Sequence, residues 1–270
     1  MEHGVCTWMS AALRAEASHR SEMVSQLLFG ETYSVTDCAD EWLKITTHDC
    51  SYEGWLQKKQ HTLLAESELE KLRNTPRYFV RDTFLYVRNA ATHIAFPVCI
   101  GSTFPMPEEG RFVLGGHAFT VELPESSPSP RHEGLTPQQD DLLAFAFHYL
   151  NAPYLWGGRT PAGIDCSGFV QLVFRSLGIS LPRDASQQIN HGEVVDFVEE
   201  ALIGDVAFFA NDEGHIVHTG IVCGHQQIIH ASGHVQINTL DENGIFNQSL
   251  GRYTHTLRII KRILLFSISY

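Results

Sequence analysis

Residues 163–174, GIDCSGFVQLVF, combine a small and polar start with an apolar pattern of helical spacing. Phe169 and Val173 recur as on the buried face of a helix, which predicts a helix from about Cys166 to just before Gly178. Unpaired backbone N–H groups and the positive end of the helix dipole favour a thiolate at a helix start. Cys166 is therefore a candidate reactive cysteine, and a buried structural cysteine is the alternative.

Two histidines downstream of this helix have a spacing that suits a hairpin. If VHTGIV and QIIHAS pair about a three-residue loop, residues 223–225, the numbers of paired residues add up to 448. His218 and His230 are then directly opposite, with Cβ atoms roughly 5 Å apart. One ring can orient the other, as in the nucleophile, base and orienter of thiol hydrolysis. A bulge would shift this register, and either histidine alone is compatible with a surface or core position.

A zinc site is the alternative interpretation of the same region. His215, His218, His230 and His234 could supply ligands, with Cys166 as a further candidate. The chain has no HExxH motif, and no acidic residue stands where a metal-bound water would need its base. The GGRTPAG segment lacks the GK[ST] ending of a phosphate-binding loop. We therefore predict no metal and no cofactor.

Composition limits the class of protein and its partners. A chain of 270 residues with 43% hydrophobic residues can bury a core and is long enough for more than one domain. The net charge of -12 disfavours nucleic acid and anionic membrane surfaces as partners. No apolar run approaches the roughly 20 residues that span a bilayer. No secretion signal is recognised, so we expect a cytoplasmic protein, or a periplasmic or secreted one if a leader has been removed.

The six cysteines show neither CxxC pairs nor regular spacing. This argues against a zinc ribbon and against a disulfide scaffold, so free thiols are expected. A bridge between Cys38 and Cys50 is an alternative if the protein is exported.

Short β-type runs and turn residues dominate the first half of the chain, and helices come first in the second half. They predict a small all-β barrel over residues 1–62, a second and degenerate one over 75–124, a Pro- and Ser-rich linker over 125–135, and an α+β domain over 136–270.

The α+β domain opens with a marked helix start. Thr136 is the predicted N-cap, Pro137 is the first helical residue, and Gln139 completes a capping box. Apolar residues on one face of this helix, including Leu142 and Phe145, are expected in the core.

The first barrel resembles a bacterial SH3-type domain. The residues that carry this resemblance are Leu13, Arg14, Glu16, Gly30, Glu31, Trp42, Lys44, Gly54 and Trp55. Trp42 and Trp55 are expected in the barrel core, with binding of a peptide as the alternative.

Six motifs in order resemble the NlpC-type cell-wall peptidase family. They are PYLWGG, GIDCSGFVQ, LPRDASQQ, GDVAFF, HTGIVCG and IIHASG, over about residues 136–265. The resemblance implies a circularly rearranged papain-like fold. Together with SH3-type barrels in front, it is similar to the subgroup of γ-D-glutamyl-L-diamino acid endopeptidases.

This resemblance implies roles for individual residues. Cys166 becomes the nucleophile, His218 the base and His230 the orienting group. Tyr154 would place its hydroxyl near the developing oxyanion, beside backbone N–H groups at the helix start. A packed aromatic ring under the glycine-rich loop is the alternative for Tyr154.

Substrate-binding roles follow from the same resemblance. Asp184 would bind the free α-amine of an N-terminal L-Ala, with a helix N-cap as the alternative. Ser167 would contribute through its backbone. Glu16 and Tyr52 would wall off the amino end of the substrate. Ala185 replaces a serine that is common in the family, so one hydrogen bond to the substrate could be missing.

A further departure from the family pattern is Thr219, which stands where valine is usual after the base. Neither departure touches the three catalytic positions.

The implied activity is hydrolysis of the bond between γ-linked D-Glu and the following diamino acid in L-Ala-γ-D-Glu-L-diamino-acid peptides. A monomer that recycles peptides already freed from glycan is expected. A secreted hydrolase of the intact wall and an inert module that binds wall peptides are the alternatives.

Overall fold

The computed structural model describes residues 2–124, 132 and 134–263, and its chain divides into two compact units. The N-terminal unit comprises Met1–Pro128 together with Trp156–Gly163. The C-terminal unit comprises Ser129–Leu155 together with Ile164–Tyr270. The segment Trp156–Gly163 thus groups with the N-terminal unit, although it lies within the predicted catalytic domain of residues 136–270. Most of the predicted linker, residues 125–131 and 133, lies outside the described residues.

The N-terminal unit begins with a seven-stranded antiparallel sheet in the order β3-β2-β6-β5-β4-β1-β7. Its strands are β1 (Glu2–Val5), β2 (Ser10–Arg14), β3 (Met23–Leu28), β4 (Thr32–Ala39), β5 (Trp42–Thr47), β6 (Glu53–Gln57) and β7 (Leu63–Leu64), with a 3₁₀ turn at Lys58–Gln60. Alternate residues such as Leu13, Leu27 and Ile45 point into one apolar core, because successive side chains of a strand face opposite sides.

A helix and two further sheets complete the β-rich part of this unit. They are α1 (Glu66–Asn74), β8 (Arg77–Phe79), β9 (Phe84–Asn89), β10 (Ala95–Cys99), β11 (Thr103–Pro105), β12 (Arg111–Leu114) and β13 (His117–Val121). The sheets have the orders β10-β9-β13-β12 and β11-β8. Leu69 and Leu72 of α1 pack into their core together with Phe29 from the first sheet. The sequence analysis did not foresee α1, which lies between the two predicted barrels.

The segment Trp156–Gly163 is fixed within the N-terminal unit by a buried ion pair. Arg159 donates from both Nη atoms to Glu31, at 2.8 and 3.0 Å, and both residues are 3% exposed. The Arg159 Nη1 atom also donates to the Gln26 carbonyl at 2.7 Å, and the Arg159 backbone N–H donates to Gln26 Oε1 at 2.7 Å. A Cβ atom on Gly157 would lie 2.3 Å from the Met23 carbonyl oxygen, so the backbones approach as closely as glycine allows.

Two of the helices in the C-terminal unit begin and end close to where the sequence predicts. Helix α2 (Pro137–Phe147) has the predicted capping box, since Thr136 Oγ1 accepts from the Gln139 N–H and Gln139 Oε1 accepts from the Thr136 N–H. Helix α3 (Cys166–Arg175) is buried at nearly every position. Both predictions are confirmed.

A short helix, α4 (Ala185–Gln188), and a curved sheet follow. The strands of this sheet are β16 (Glu193–Val195), β17 (Val206–Ala210), β18 (Ile216–Gly224), β19 (Gln227–Ser232), β20 (His234–Asp241), β21 (Gly244–Asn247) and β22 (Arg252–Arg262), with a 3₁₀ turn at Val198–Glu200. Before α3, β14 (Arg159–Thr160) and β15 (Gly163–Ile164) form a separate two-stranded sheet. The main sheet has the order β16-β22-β17-β18-β19-β20-β21, and β21 also pairs with β22. The sheet therefore closes on itself around an apolar core that includes Phe209, Val222 and Ile260.

The predicted fold class is confirmed: β-rich SH3-like sheets precede an α+β domain. All six cysteines are free thiols. Among the described residues, no helix is long and apolar enough to cross a membrane.

Candidate active site

Cys166 is the first residue of α3 and is 5% exposed. The backbones of Thr219, the residue next to His218 on β18, and of Ser167 lie near the Cys166 sulfur, where they favour the thiolate and lower its pKa. The carboxylate of Asp165 caps the helix by accepting from the Gly168 N–H at 2.7 Å. The helix start thus holds the thiol against the strand that carries His218.

His218 and His230 form a direct hydrogen bond, with 2.8 Å between His218 Nε2 and His230 Nδ1. Both side chains are buried, and their rings meet edge to face with centroids 5.0 Å apart. Because Nε2 of His218 is engaged in this bond, Nδ1 is the ring nitrogen that is left to act on a thiol.

The register that predicted this pair was wrong by two residues. Ile221 pairs with Ile229 and Val222 with Ile228, and a bulge precedes a two-residue turn at residues 225–226. Since side chains alternate with a period of two, a slip of two residues keeps both histidines on the same face of the sheet. His218 and His230 are therefore diagonal neighbours instead of directly opposite.

Gly220 makes this diagonal contact possible. A Cβ atom at Gly220 would lie 2.8 Å from His230 Cβ and 2.8 Å from Ile228 Cδ1, closer than real atoms approach. Only a residue without a side chain therefore leaves His230 the space to lean toward His218.

A third imidazole, which the sequence analysis missed, completes the cluster. His255 on β22 stacks on His218 with centroids 4.0 Å apart and an interplanar angle of 26°. His255 Nδ1 lies 2.9 Å from the Thr254 hydroxyl, which fixes the ring. The pairing of Ile245 with His255 places this residue on the sheet.

Burial decides the protonation of the resting cluster. It raises the pKa of Cys166 to about 12, the nearby Asp165 carboxylate adds to the rise, and backbone N–H donors only partly oppose it. Burial also lowers the pKa of His218 well below its ordinary value and lowers that of His230 to about 3, with the neighbouring His255 as the next cause for both. Burial thus opposes the thiolate that the helix start favours, and it also opposes the charged form of both imidazoles.

A buried ion pair supports the start of α3. Arg183 donates to both carboxylate oxygens of Asp165, at 3.0 and 2.6 Å, and to Ser167 Oγ at 2.9 Å. Gln188 Nε2 donates to the Ser167 carbonyl at 3.0 Å. Neither Arg183 nor Asp165 was predicted as a site residue, because motif spacing does not show that this arginine is buried and so needs an anionic partner.

Tyr154 lies near Cys166, as expected for a group at the oxyanion. Burial raises the pKa of the Tyr154 hydroxyl, and the negative charge of a Cys166 thiolate is the second cause of that rise. The Tyr154 phenol therefore stays protonated and can donate a hydrogen bond at neutral pH. Its role in stabilising an oxyanion stays a prediction.

The predicted substrate-binding residues of the C-terminal unit lie in and next to α4. Asp184 is half-buried at the N-cap position of α4, but its side chain makes no capping hydrogen bond. Ala185 is the buried first residue of α4. The capping alternative for Asp184 is therefore not supported. Thr219, the other departure from the family pattern, is fully buried and donates its hydroxyl proton to the Ala207 carbonyl at 3.1 Å.

Glu16 and Tyr52 belong to the N-terminal unit. Glu16 is exposed in the loop between β2 and β3, where its N–H donates to Ser21 Oγ. Tyr52 is half-buried just before β6, and its N–H donates to Thr47 Oγ1 at 3.0 Å. Their role at the amino end of a substrate stays a prediction. Trp42 is buried, in agreement with the core interpretation, and Trp55 is half-buried.

Within the described part of the chain, the group that could hold a metal ion consists of His218, His230 and His255. One ring nitrogen from each lies within 4.8 Å of the others, and three imidazoles are a ligand set that zinc accepts. His215 and His234, which the zinc alternative invoked, are exposed and do not belong to this group. The hydrogen bond between His218 and His230 instead suits a base and its orienting group, since a proton lies between the two nitrogens.

Family models match both parts of the chain. Residues 151–253 match the NlpC/P60 family, and residues 13–60 match the bacterial dipeptidyl-peptidase Sh3 domain. The first range contains Cys166, His218 and His230.

Comparison with individual proteins covers most of the chain. Proteins from Bacillus cereus and Bacillus subtilis, each named gamma-D-glutamyl-L-lysine dipeptidyl-peptidase, are 28% and 29% identical to it. These alignments cover 87% and 81% of this chain, and 75% and 76% of the relatives. The crystal structure of an NlpC/P60 family protein from Bacillus cereus has the same fold, with a TM-score of 0.79 at 22% identity over 97% of this chain and 100% of that chain. Residues 151–253 therefore form a region of the NlpC/P60 cysteine peptidase family, which follows a bacterial SH3 domain at residues 13–60.

Proposed function

We propose that this peptidase hydrolyses the bond between γ-linked D-Glu and the following L-diamino acid in peptidoglycan stem peptides that carry a free N-terminal L-Ala. The observation that carries the proposal is the hydrogen bond between His218 and His230 near Cys166, which is the first residue of α3 and lies near the backbone of Thr219. The names of the two Bacillus relatives support the γ-D-glutamyl bond and the release of a dipeptide.

The reaction begins with proton transfer, because thiol and imidazole are both neutral at rest. Nδ1 of His218 takes the thiol proton while the sulfur attacks the γ-carbonyl carbon. The Tyr154 hydroxyl and N–H groups at the start of α3 donate to the oxyanion. His218 then returns the proton to the leaving amine, which leaves a thioester.

Water completes the cycle. His218 removes a proton from a water molecule, whose oxygen attacks the thioester carbonyl, and the proton returns to the Cys166 sulfur. The products are L-Ala-D-Glu and a peptide or amino acid with a free amine. Each proton taken by His218 is given back, so no cofactor is consumed.

Recognition of the free amine is assigned to Asp184, with Glu16 and Tyr52 closing the amino end. A carboxylate suits an ammonium group, and Asp184 is half-buried at the start of α4, in the same unit as Cys166. Such an enzyme acts on peptides already released from glycan, so we place it in the cytoplasm, in the recycling of wall peptides. Cell fractionation with an antibody would contradict that placement by finding the protein outside the cytoplasm.

The test compares two substrates that differ only at the amino end. L-Ala-γ-D-Glu-L-Lys and its N-acetyl derivative are incubated with enzyme, and L-Ala-D-Glu or its acetylated form is quantified by mass spectrometry. We expect the free peptide to be cleaved at least about 100-fold faster, since an uncharged amide cannot form the charge-assisted hydrogen bond that an ammonium group forms with the carboxylate of Asp184. D184N should raise KM for the free peptide only. Equal rates on both peptides would overturn the assignment and favour a hydrolase of the intact wall.

Matched cysteine variants identify the nucleophile. C166A should abolish cleavage, whereas C223A, which removes another buried thiol of the same unit, should retain it. Binding of the tripeptide by the wild-type protein without any cleavage would instead favour an inert module that binds wall peptides.

A further inference from the structure

Beyond the hydrogen bond between the two buried histidines, the polar chain continues to a residue on β20. The amide nitrogen of Asn238, Nδ2, lies 3.1 Å from His230 Nε2, and half a turn of the side-chain amide would bring Oδ1 to the same place. Asn238 pairs with Ile228 across the sheet, two residues from the partner of His230, so it is a diagonal neighbour of His230. His218, His230 and Asn238 thus form a line of side chains that leads away from Cys166.

The position of one proton in this line decides whether His218 can act as a base. To take a proton at Nδ1, His218 must carry its own proton at Nε2 and donate it to His230 Nδ1. His230 must then accept at Nδ1 and carry its proton at Nε2. Because His230 is buried and neutral, it has a single ring proton, and the partner of Nε2 must be an acceptor.

Asn238 can supply either an acceptor or a donor at that point. With Oδ1 toward His230, the amide accepts from Nε2–H and the base-competent tautomer is stabilised. With Nδ2 toward His230, as the amide stands in the structure, it donates to Nε2, moves the His230 proton to Nδ1 and leaves His218 protonated at Nδ1. In that second arrangement His218 cannot accept the thiol proton.

We propose that Asn238 is a positioning residue: its amide oxygen accepts from His230 Nε2–H and so sets the tautomers of His230 and His218 that the reaction requires. This inference rests on the proposed roles of Cys166 and His218. Asn238 itself touches neither the substrate nor the reacting atoms. Packing of His230 against Gly220 already confines the ring. Asn238 therefore contributes by setting which ring nitrogen of His230 carries the proton.

The first test reads the proton directly and needs no activity. Long-range ¹H–¹⁵N spectra of C166A at neutral pH report which nitrogen of each imidazole is protonated, and H230Q identifies the signals of His230. We expect the Nε2–H tautomer of His230 in the C166A protein. A His230 protonated at Nδ1 would overturn the proposal.

The second test uses substitutions that separate accepting from donating. N238D keeps only acceptor oxygens, and N238L keeps neither function at similar size. N238D should retain the Nε2–H tautomer and most of kcat. N238L should show both tautomers and a kcat lowered roughly three- to tenfold with KM unchanged, the range expected for one neutral hydrogen bond.

Q236L is the matched control. Gln236 is on the same strand and face, but its amide donates to the Ser232 carbonyl and not to His230. Wild-type kinetics for N238L, or an equal loss in Q236L, would overturn the proposal. Failure of the proposed function is distinguishable, because wild-type enzyme would then leave the tripeptide intact while the tautomer of His230 is still read in C166A.

Discussion

Cys166 and His218 are each 5% exposed, and at the scale of single residues this burial governs their reactivity. The pKa of the thiol is raised to about 12 and that of the imidazole is lowered, so each ion alone is disfavoured. Forming both ions together, in contact with a substrate, avoids isolating either charge in the low-dielectric site. The site therefore depends on coupled proton transfer instead of a thiolate that exists beforehand.

The pH dependence of alkylation tests this state. Because the thiolate form increases until pH exceeds the pKa, the rate of Cys166 modification by iodoacetamide should rise steadily from pH 6 to pH 9 without a plateau. Peptide mapping by mass spectrometry separates Cys166 from the exposed Cys38. A plateau reached by pH 7 would reveal a preformed thiolate–imidazolium pair. Slow alkylation at neutral pH is thus expected of an active enzyme and does not indicate an inert pocket.

Gly220 gives a second prediction at this scale. Its Cβ atom in G220A would meet His230 Cβ and Ile228, so we expect a loss of about 1–3 kcal/mol in the free energy of unfolding and at least tenfold in kcat. Urea denaturation and peptide hydrolysis measure the two effects. G224A in the same strand is the control, because its Cβ would mainly meet the flexible end of Gln227. Equal effects of the two substitutions would contradict this account.

At the scale of elements, the hairpin β18–β19 shows what sequence can and cannot specify. Alternation of side chains predicted that His218 and His230 lie on one face of the sheet. This prediction is correct although the register was wrong, because the slip is an even number of residues. The bulge near Cys223 is a backbone feature without a clear signal in the sequence. His255 and Asn238 reach the cluster through pairing between strands that lie far from α3 in sequence, and motif spacing carries no information about such pairing.

The segment Trp156–Gly163 depends on the pair Arg159–Glu31. R159A leaves the Glu31 carboxylate buried without its guanidinium, so we expect the free energy of unfolding to fall by about 3–5 kcal/mol. The double variant R159M/E31L should recover a large part of that loss, since no buried charge remains. E53Q, which removes the exposed pair with Lys44, should change stability by less than about 1 kcal/mol. A loss in R159A no larger than that in E53Q would refute the prediction. Urea denaturation measures all three variants.

At the scale of the whole molecule, the order of domains and the α+β class followed from strand-like runs, helix caps and six motifs, and the comparison with solved structures confirms them. The sequence did not predict that the segment Trp156–Gly163 belongs to the N-terminal unit. Arg159 directly follows the PYLWGG motif, but its partners Glu31 and Gln26 precede it by more than a hundred residues. Only the folded structure relates them.

Because Trp156–Gly163 belongs to the N-terminal unit, we expect a C-terminal fragment produced alone to be less stable than the full chain. A fragment of residues 129–270 contains Trp156–Gly163 without Glu31 or Gln26, so Arg159 loses every partner named above. We expect the fragment to unfold at a lower temperature than the full chain and to be cut by trypsin after Arg159. Limited proteolysis with mass spectrometry detects the cut. Protection of Arg159 in the fragment equal to that in the full chain would contradict the prediction.

The path of the chain also constrains which domains of such a protein can be exchanged by recombination. The polypeptide passes from one unit to the other three times, because Trp156–Gly163 returns to the N-terminal unit before α3 begins. A recombination event within residues 125–135 would combine a different barrel with the segment Trp156–Gly163. Arg159 in that segment would then lack Glu31 unless the new barrel also supplied a buried carboxylate. We therefore expect the barrel and the segment Trp156–Gly163 to change together in evolution, although residues 129–155 of the other unit separate them in the chain.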